Sequence, residues 1–112
     1  MNTRRRLLVE MQAACSRLWD TASRGDAHRF EDDDVYRHAI AFLWLRLGEP
    51  ASRLMAQRLI DVSQVPQWAW LVATRNSLAH GADSEIDYPS LWESLPTVAV
   101  STERDVARLL AS

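Results

Sequence analysis

The 112-residue chain has no lysine, one cysteine, three glycines and four prolines. The lone Cys15 cannot form an intramolecular disulfide. With no signal peptide in view, the expected compartment is a reducing cytoplasm. The opening Arg4-Arg5-Arg6-Leu7-Leu8-Val9 superficially resembles a secretory leader, but Glu10 interrupts it. Its three apolar residues fall well short of the ~7–15 of a secretory core. The longest wholly apolar run is Ala39 to Leu45, whereas a membrane-spanning helix needs about 20 such residues. A basic excess is also missing, with 13 cations against 15 acids and a net charge of −2. That argues against a protein that coats nucleic acid by bulk charge, and leaves local contact with phosphate open. No stretch alternates apolar and polar residues with a strand period.

What is present is an ordinary globular composition, 47% hydrophobic and 25% charged, which excludes wholesale disorder. The length suits a single domain over 1–112 that needs neither disulfide nor metal to fold. All the cations are arginine. The guanidinium fork suits phosphate, but a compositional preference that replaces lysine throughout is the favoured explanation, so the arginine count alone is no evidence for RNA or DNA.

Helical spacing organises the rest. Leu8, Met11, Cys15, Leu18 and Ala22 form an apolar stripe, predicting a first amphipathic helix over about 3–24. The stretch 26–34 is polar and holds the run Glu31-Asp32-Asp33-Asp34. It reads as a helix start, with Asp33 or Asp34 capping free amides, rather than as a metal site. A second helix, about 35–47, is apolar nearly all round and is expected to be the most buried. Gly48-Glu49-Pro50 is expected to break or kink it before a further helical piece over 51–60. A helix over about 66–80 opens on Pro66 and stops at Gly81. A short helix holds Leu91, Trp92 and Leu95 and ends at Pro96. The last helix, about 102–111, has Thr102 and Asp105 at capping-box spacing. The expected fold is all-α, a compact up-and-down bundle of four to six helices.

Few residues invite chemistry. His28 and His38 are isolated, Cys15 lies on an apolar stripe, and Trp44 and Trp92 read as core, with Trp68 less clear. The segment Arg75-Asn76-Ser77-Leu78-Ala79-His80-Gly81 differs, because it gathers polar groups at the end of an apolar helix. At about 100° per residue, Asn76 and His80 share a face, while Arg75 lies roughly 140° from His80. Convergence of Arg75 and His80 therefore requires a loosened helix end or a two-fold axis. Together they suit RNA cleavage without a metal: histidine moves the protons and arginine holds the phosphorane oxygens. Arginine, asparagine and histidine at a helix end also serve as plain caps.

The order of several segments resembles the HepT-like branch of the HEPN superfamily. Leu47-Gly48-Glu49-Pro50-Ala51 is similar to its Ile-Gly-Glu-Ala segment, and Val65-Pro66-Gln67-Trp68 to its Ile-Pro-Trp turn. Thr74-Arg75-Asn76 with His80-Gly81 is similar to its Arg-Asn … His-Gly signature, and Asp87, Trp92 and Leu95-Pro96 to its closing helix. The resemblance spans about residues 7–100. It implies a helical homodimer, a metal-independent ribonuclease cleft at the dimer axis, and a toxin paired with a nucleotidyltransferase antitoxin. On it, Arg75 binds phosphate, His80 is the general acid/base, and Asn76 and Glu49 support them, with no cofactor. Ala82 stands where many members carry a tyrosine that the partner modifies with AMP, so neutralisation by an adduct at that position is not available here. The alternative expectation is a non-enzymatic HEPN module that binds a nucleotidyltransferase or a nucleotide.

Overall fold

In the computed structural model, which describes residues 2–112, α1 spans Thr3–Ala22. The Asn2 side chain accepts from the Arg5 amide at 2.7 Å and caps it. The expected stripe Leu8, Met11, Cys15, Leu18 and Ala22 is buried, and Leu7, outside that stripe, is buried with it. The other helices are α2 (Ala27–Asp32), α3 (Asp34–Ala56), α4 (Trp68–His80), α5 (Tyr88–Glu93) and α6 (Val100–Ala111). The fold is an all-α bundle with one continuous apolar core.

Helix α3 is the central element and packs against both α1 and α4. The Tyr36 hydroxyl donates to the Ala22 carbonyl at 2.6 Å, and the Arg4 Nε donates to Leu59 O at 3.2 Å. The start of α3 therefore lies by the end of α1, and the start of α1 lies just past the end of α3, so the two run antiparallel. Arg5 reaches Leu110 O at 3.5 Å, which sets α6 antiparallel to α1 in the same way.

Several expectations are corrected. Within 26–34, Asp33 caps α3 as expected, and a further short helix precedes it: Asp26 caps α2 through the Arg29 amide at 2.9 Å, and Phe30 is buried. Gly48-Glu49-Pro50 does not break α3, which runs through Pro50 to Ala56. Packing on both sides outweighs the roughly 3 kcal/mol that an interior proline costs an isolated helix. The helix stops at 56 rather than 60 because Arg58 takes a left-handed conformation, φ 55°. The Arg58 amide donates to Met55 O at 3.2 Å and the Leu59 amide to Leu54 O at 2.9 Å. This is the paired reversal usually built on glycine. Pro66 precedes α4 instead of opening it, inside a turn closed by the Trp68 amide on Val65 O at 2.9 Å. Gly81 ends α4 without a left-handed φ. A Cβ there would meet Ser77 O at 2.6 Å, so close approach is what excludes a side chain.

Pro96 likewise does not end the chain's helical course. A π turn, Leu95–Ala99, carries the backbone from α5 directly into α6. The capping box at Thr102 is therefore absent. Thr102 is fully buried and its hydroxyl has no partner, while Asp105 accepts from Gln67 and pairs with Arg108 at 3.0 Å. A buried hydroxyl left unpaired costs about 1–3 kcal/mol, whereas valine matches its shape. Thr102→Val is thus expected to stabilise the fold by about 1 kcal/mol, read as a rise of about 4 °C in melting temperature. An unchanged or lowered melting temperature would show that the hydroxyl is satisfied in solution.

Candidate functional site at the seam of α3 and α4

Helices α3 and α4 come into close contact at Gly48. A Cβ on it would lie 2.6 Å from Arg75 Cβ and 2.8 Å from Leu71 O. The absence of a side chain there brings Glu49 and Arg75 together: Arg75 Nε donates to Glu49 Oε1 at 2.6 Å. The pair is half-buried, with side chains 25% and 34% exposed. Arg75 Nη1 also donates to Asn76 Oδ1 at 2.8 Å. The guanidinium is therefore held in a fixed plane by two of its five N–H groups. The remaining three, two on Nη2 and one on Nη1, make no hydrogen bond among the described residues.

Asn76 and His80 are exposed, one turn apart on the outer side of α4. His80 makes no hydrogen bond or ion pair among the described residues. Because α4 stays regular through His80, the loosened helix end that would let Arg75 and His80 meet within one chain does not occur. The structure brings together Glu49, Arg75 and Asn76 and leaves His80 about five residues, or ~7.5 Å, further along the axis. Any joint action on one phosphate requires a second copy of the motif.

Other candidates resolve as packing. Trp44 is buried and donates from Nε1 to Leu91 O at 2.9 Å. Trp68, the ambiguous one in sequence, is also fully buried, with its Nε1 unpartnered. Trp92 is only partly buried, its ring tilted by 34° and 5.2 Å from that of Phe30 at the core's edge. Burial, and secondarily Glu103, pushes the Cys15 thiol up to about 12, so it stays protonated and inert at neutral pH. In the acidic run, Asp33 accepts from the amides of Val35 and Tyr36 at 3.0 and 3.2 Å. Those bonds, the Tyr36 one first and then that from Arg29, hold its carboxyl below the ordinary range.

A second polar cluster was not legible in sequence. Tyr88 donates to Asp83, His38 Nε2 lies 3.8 Å from the same carboxylate, and the Arg37 guanidinium sits 5.3 Å over the Tyr88 ring. Arg37 and His38 lie 45 or more positions from Asp83 and Tyr88, on the other side of α4 in sequence, so no spacing rule joins the two halves. They satisfy one another and pin the 83–87 loop to the start of α3. Burial, and then the Asp83 bond, pushes the Tyr88 phenol up to about 12 from 10.0. Below pH ~10 the phenol is protonated whether the chain is folded or not. Above it, the unfolded chain loses the proton first, so stability falls as pH rises toward about 12. Melting temperatures across that window are expected to drop, with the raised Cys15 thiol and Tyr36 phenol acting in the same direction, and Tyr88→Phe is expected to remove the Tyr88 share of the drop. An identical pH profile for the variant would refute the assignment.

Comparison with known proteins yields no matching family model, no matching curated protein and no matching solved structure.

Proposed function

We propose that this chain is a metal-independent endoribonuclease of the toxin type, acting as a homodimer through Arg75 and His80 and restrained by a nucleotidyltransferase partner. The observation that carries the reading is the held guanidinium of Arg75, with three N–H groups that make no hydrogen bond among the described residues, on the same helix as an exposed His80 that has no partner among them. The resemblance of the Arg75–Gly81 segment to the HepT-like signature supports it, and the reading requires a second copy to complete the constellation.

In that dimer each subunit contributes one imidazole and one fixed cation. One His80, neutral, takes the proton from the ribose 2′-hydroxyl as that oxygen attacks the adjacent phosphorus. His80 of the partner subunit, protonated, gives its proton to the departing 5′-oxygen. The products are a 2′,3′-cyclic phosphate and a 5′-hydroxyl. Arg75 faces the phosphorane with donors already oriented, so little reorganisation accompanies the charge that develops there. Glu49 and Asn76 position the fork and do not touch the reacting atoms.

A specific observation favours a second reading. Glu49 offsets part of the Arg75 charge, which suits a non-enzymatic module that binds a nucleotidyltransferase or a nucleotide. Incubating purified chain with RNA in excess chelator separates the two. The nuclease reading expects cleavage that falls roughly 10²–10⁴-fold in His80→Ala, with loss of any growth arrest on induction. Failure of the wild type to cleave RNA or arrest growth would leave the binding module.

A further inference from the structure

A groove of about 460 Å³ runs between α1 and α3, lined by the exposed Arg17, Arg46 and Arg53 and by Phe42, Leu43 and Pro50. None of these three arginines makes a hydrogen bond or ion pair among the described residues, although most of the chain's other guanidinium groups do. Two carboxylates also line the groove, Glu10 and Glu49. Each is engaged by an arginine outside it, Glu10 by Arg6 at 3.1 Å and Glu49 by Arg75 at 2.6 Å. The lining acids are thus already matched and the three lining arginines are not. In a chain of net charge −2, this is a locally basic surface that the total conceals. Phe42, which also lines the groove, is 56% exposed, an aromatic face that solvent does not favour and a flat base would cover.

We propose that this groove is a subsite for single-stranded RNA, in which Arg17, Arg46 and Arg53 take backbone phosphates and Phe42 stacks a base beside the bond being cut. The proposal rests on the nuclease reading for the identity of its ligand. Glu49 is the link between the two places, since its side chain lines the groove and also holds Arg75. Unpaired guanidinium groups around an aromatic platform form the usual apparatus for gripping single strands without reading their sequence. The subsite supplies the affinity that an acidic protein otherwise lacks. Its position keeps a strand running past the reacting centre rather than ending there.

The test uses full-length His80→Ala protein, which cannot consume the probe, and a fluorescein-labelled oligouridylate in a salt titration. Each phosphate contact contributes about 0.7 to the slope of log affinity against log salt for a single strand. Replacing Arg17, Arg46 and Arg53 together by glutamine is expected to lower that slope by about 2. Phe42→Ala is expected to weaken binding about tenfold with the slope unchanged. Arg58→Gln with Arg104→Gln, two other unpaired arginines away from this groove, is expected to leave both quantities alone. The proposal is overturned if the triple variant binds with the parent's slope, if the control pair loses as much, if the parent binds no RNA, or if the probe is displaced only by a nucleoside triphosphate. A triple variant that changes the oligomeric state at micromolar concentration would likewise overturn it, by making the groove an interface between copies. Wild-type protein that binds through the groove but never cuts would instead remove the nuclease reading alone.

Discussion

Gly48→Ala is expected to destabilise the protein by about 1–2 kcal/mol, and Gly48→Val by about 3 kcal/mol or more. Two effects oppose each other. Alanine is worth up to ~1 kcal/mol over glycine in a helix interior, and Gly48 lies inside α3. Against that, the added Cβ would stand 2.6 Å from Arg75 Cβ and 2.8 Å from the Leu71 carbonyl. The second of these is backbone, so relief requires α4 itself to move, and overpacking of this kind costs about 1–3 kcal/mol. The clash outweighs the propensity, and valine's further methyl groups enlarge it. Urea unfolding with an unchanged m-value measures the loss. A Gly48→Ala protein more stable than the parent would show that the helices part at no cost.

Arg75→Lys is expected to reduce RNA cleavage roughly 10²–10³-fold while changing stability by less than about 1 kcal/mol. Lysine retains the charge but not the planar fork, so it cannot hold Glu49 and Asn76 and also present oriented donors to a phosphorane. The small stability change follows from exposure: a pair left a quarter to a third accessible behaves more like a surface pair than a buried one. Glu49 variants separate positioning from charge. Glu49→Gln keeps an acceptor for Arg75 Nε and is expected to retain cleavage within about tenfold. Glu49→Ala frees the guanidinium and is expected to lose more. Cleavage by Arg75→Lys at the parent rate would remove Arg75 from the reaction. An equal response of the two Glu49 variants would remove the positioning role.

The long helices were readable because each buries a stripe at regular spacing, as Leu8, Met11, Cys15 and Leu18 show. The misreadings share a cause: local signals lost to packing. Gly48 and Pro50 look like a break only when α3 is considered alone. Within the bundle one is the crossing point with α4, and the other is buried against the helix's neighbours. Helix α2 has a single buried residue, Phe30, too little to show as a period. Thr102 looked like a cap because nothing in the sequence marks a π turn that has already consumed the free amides. At the candidate site, the shared face of Asn76 and His80 followed from helix angles. The Glu49–Arg75 bond spans 26 positions and depends on a crossing that no angle reports. The groove arginines were hidden by an all-arginine composition, which gives no contrast between bound and idle guanidinium groups.

Charge is also distributed unevenly along α3. Glu31 to Asp34 and the loop carrying Asp83 gather at its first turns, whereas Arg46 and Arg53 lie on its second half. At 1.5 Å per residue, Asp34 and Arg53 are ~28 Å apart, so the protein carries an electric dipole even though its net charge is small. In the field of a polyanion such a body rotates before it touches, presenting one end and withholding the other. On the nuclease reading, productive encounter with RNA is then expected to depend on orientation and on ionic strength more than on total charge.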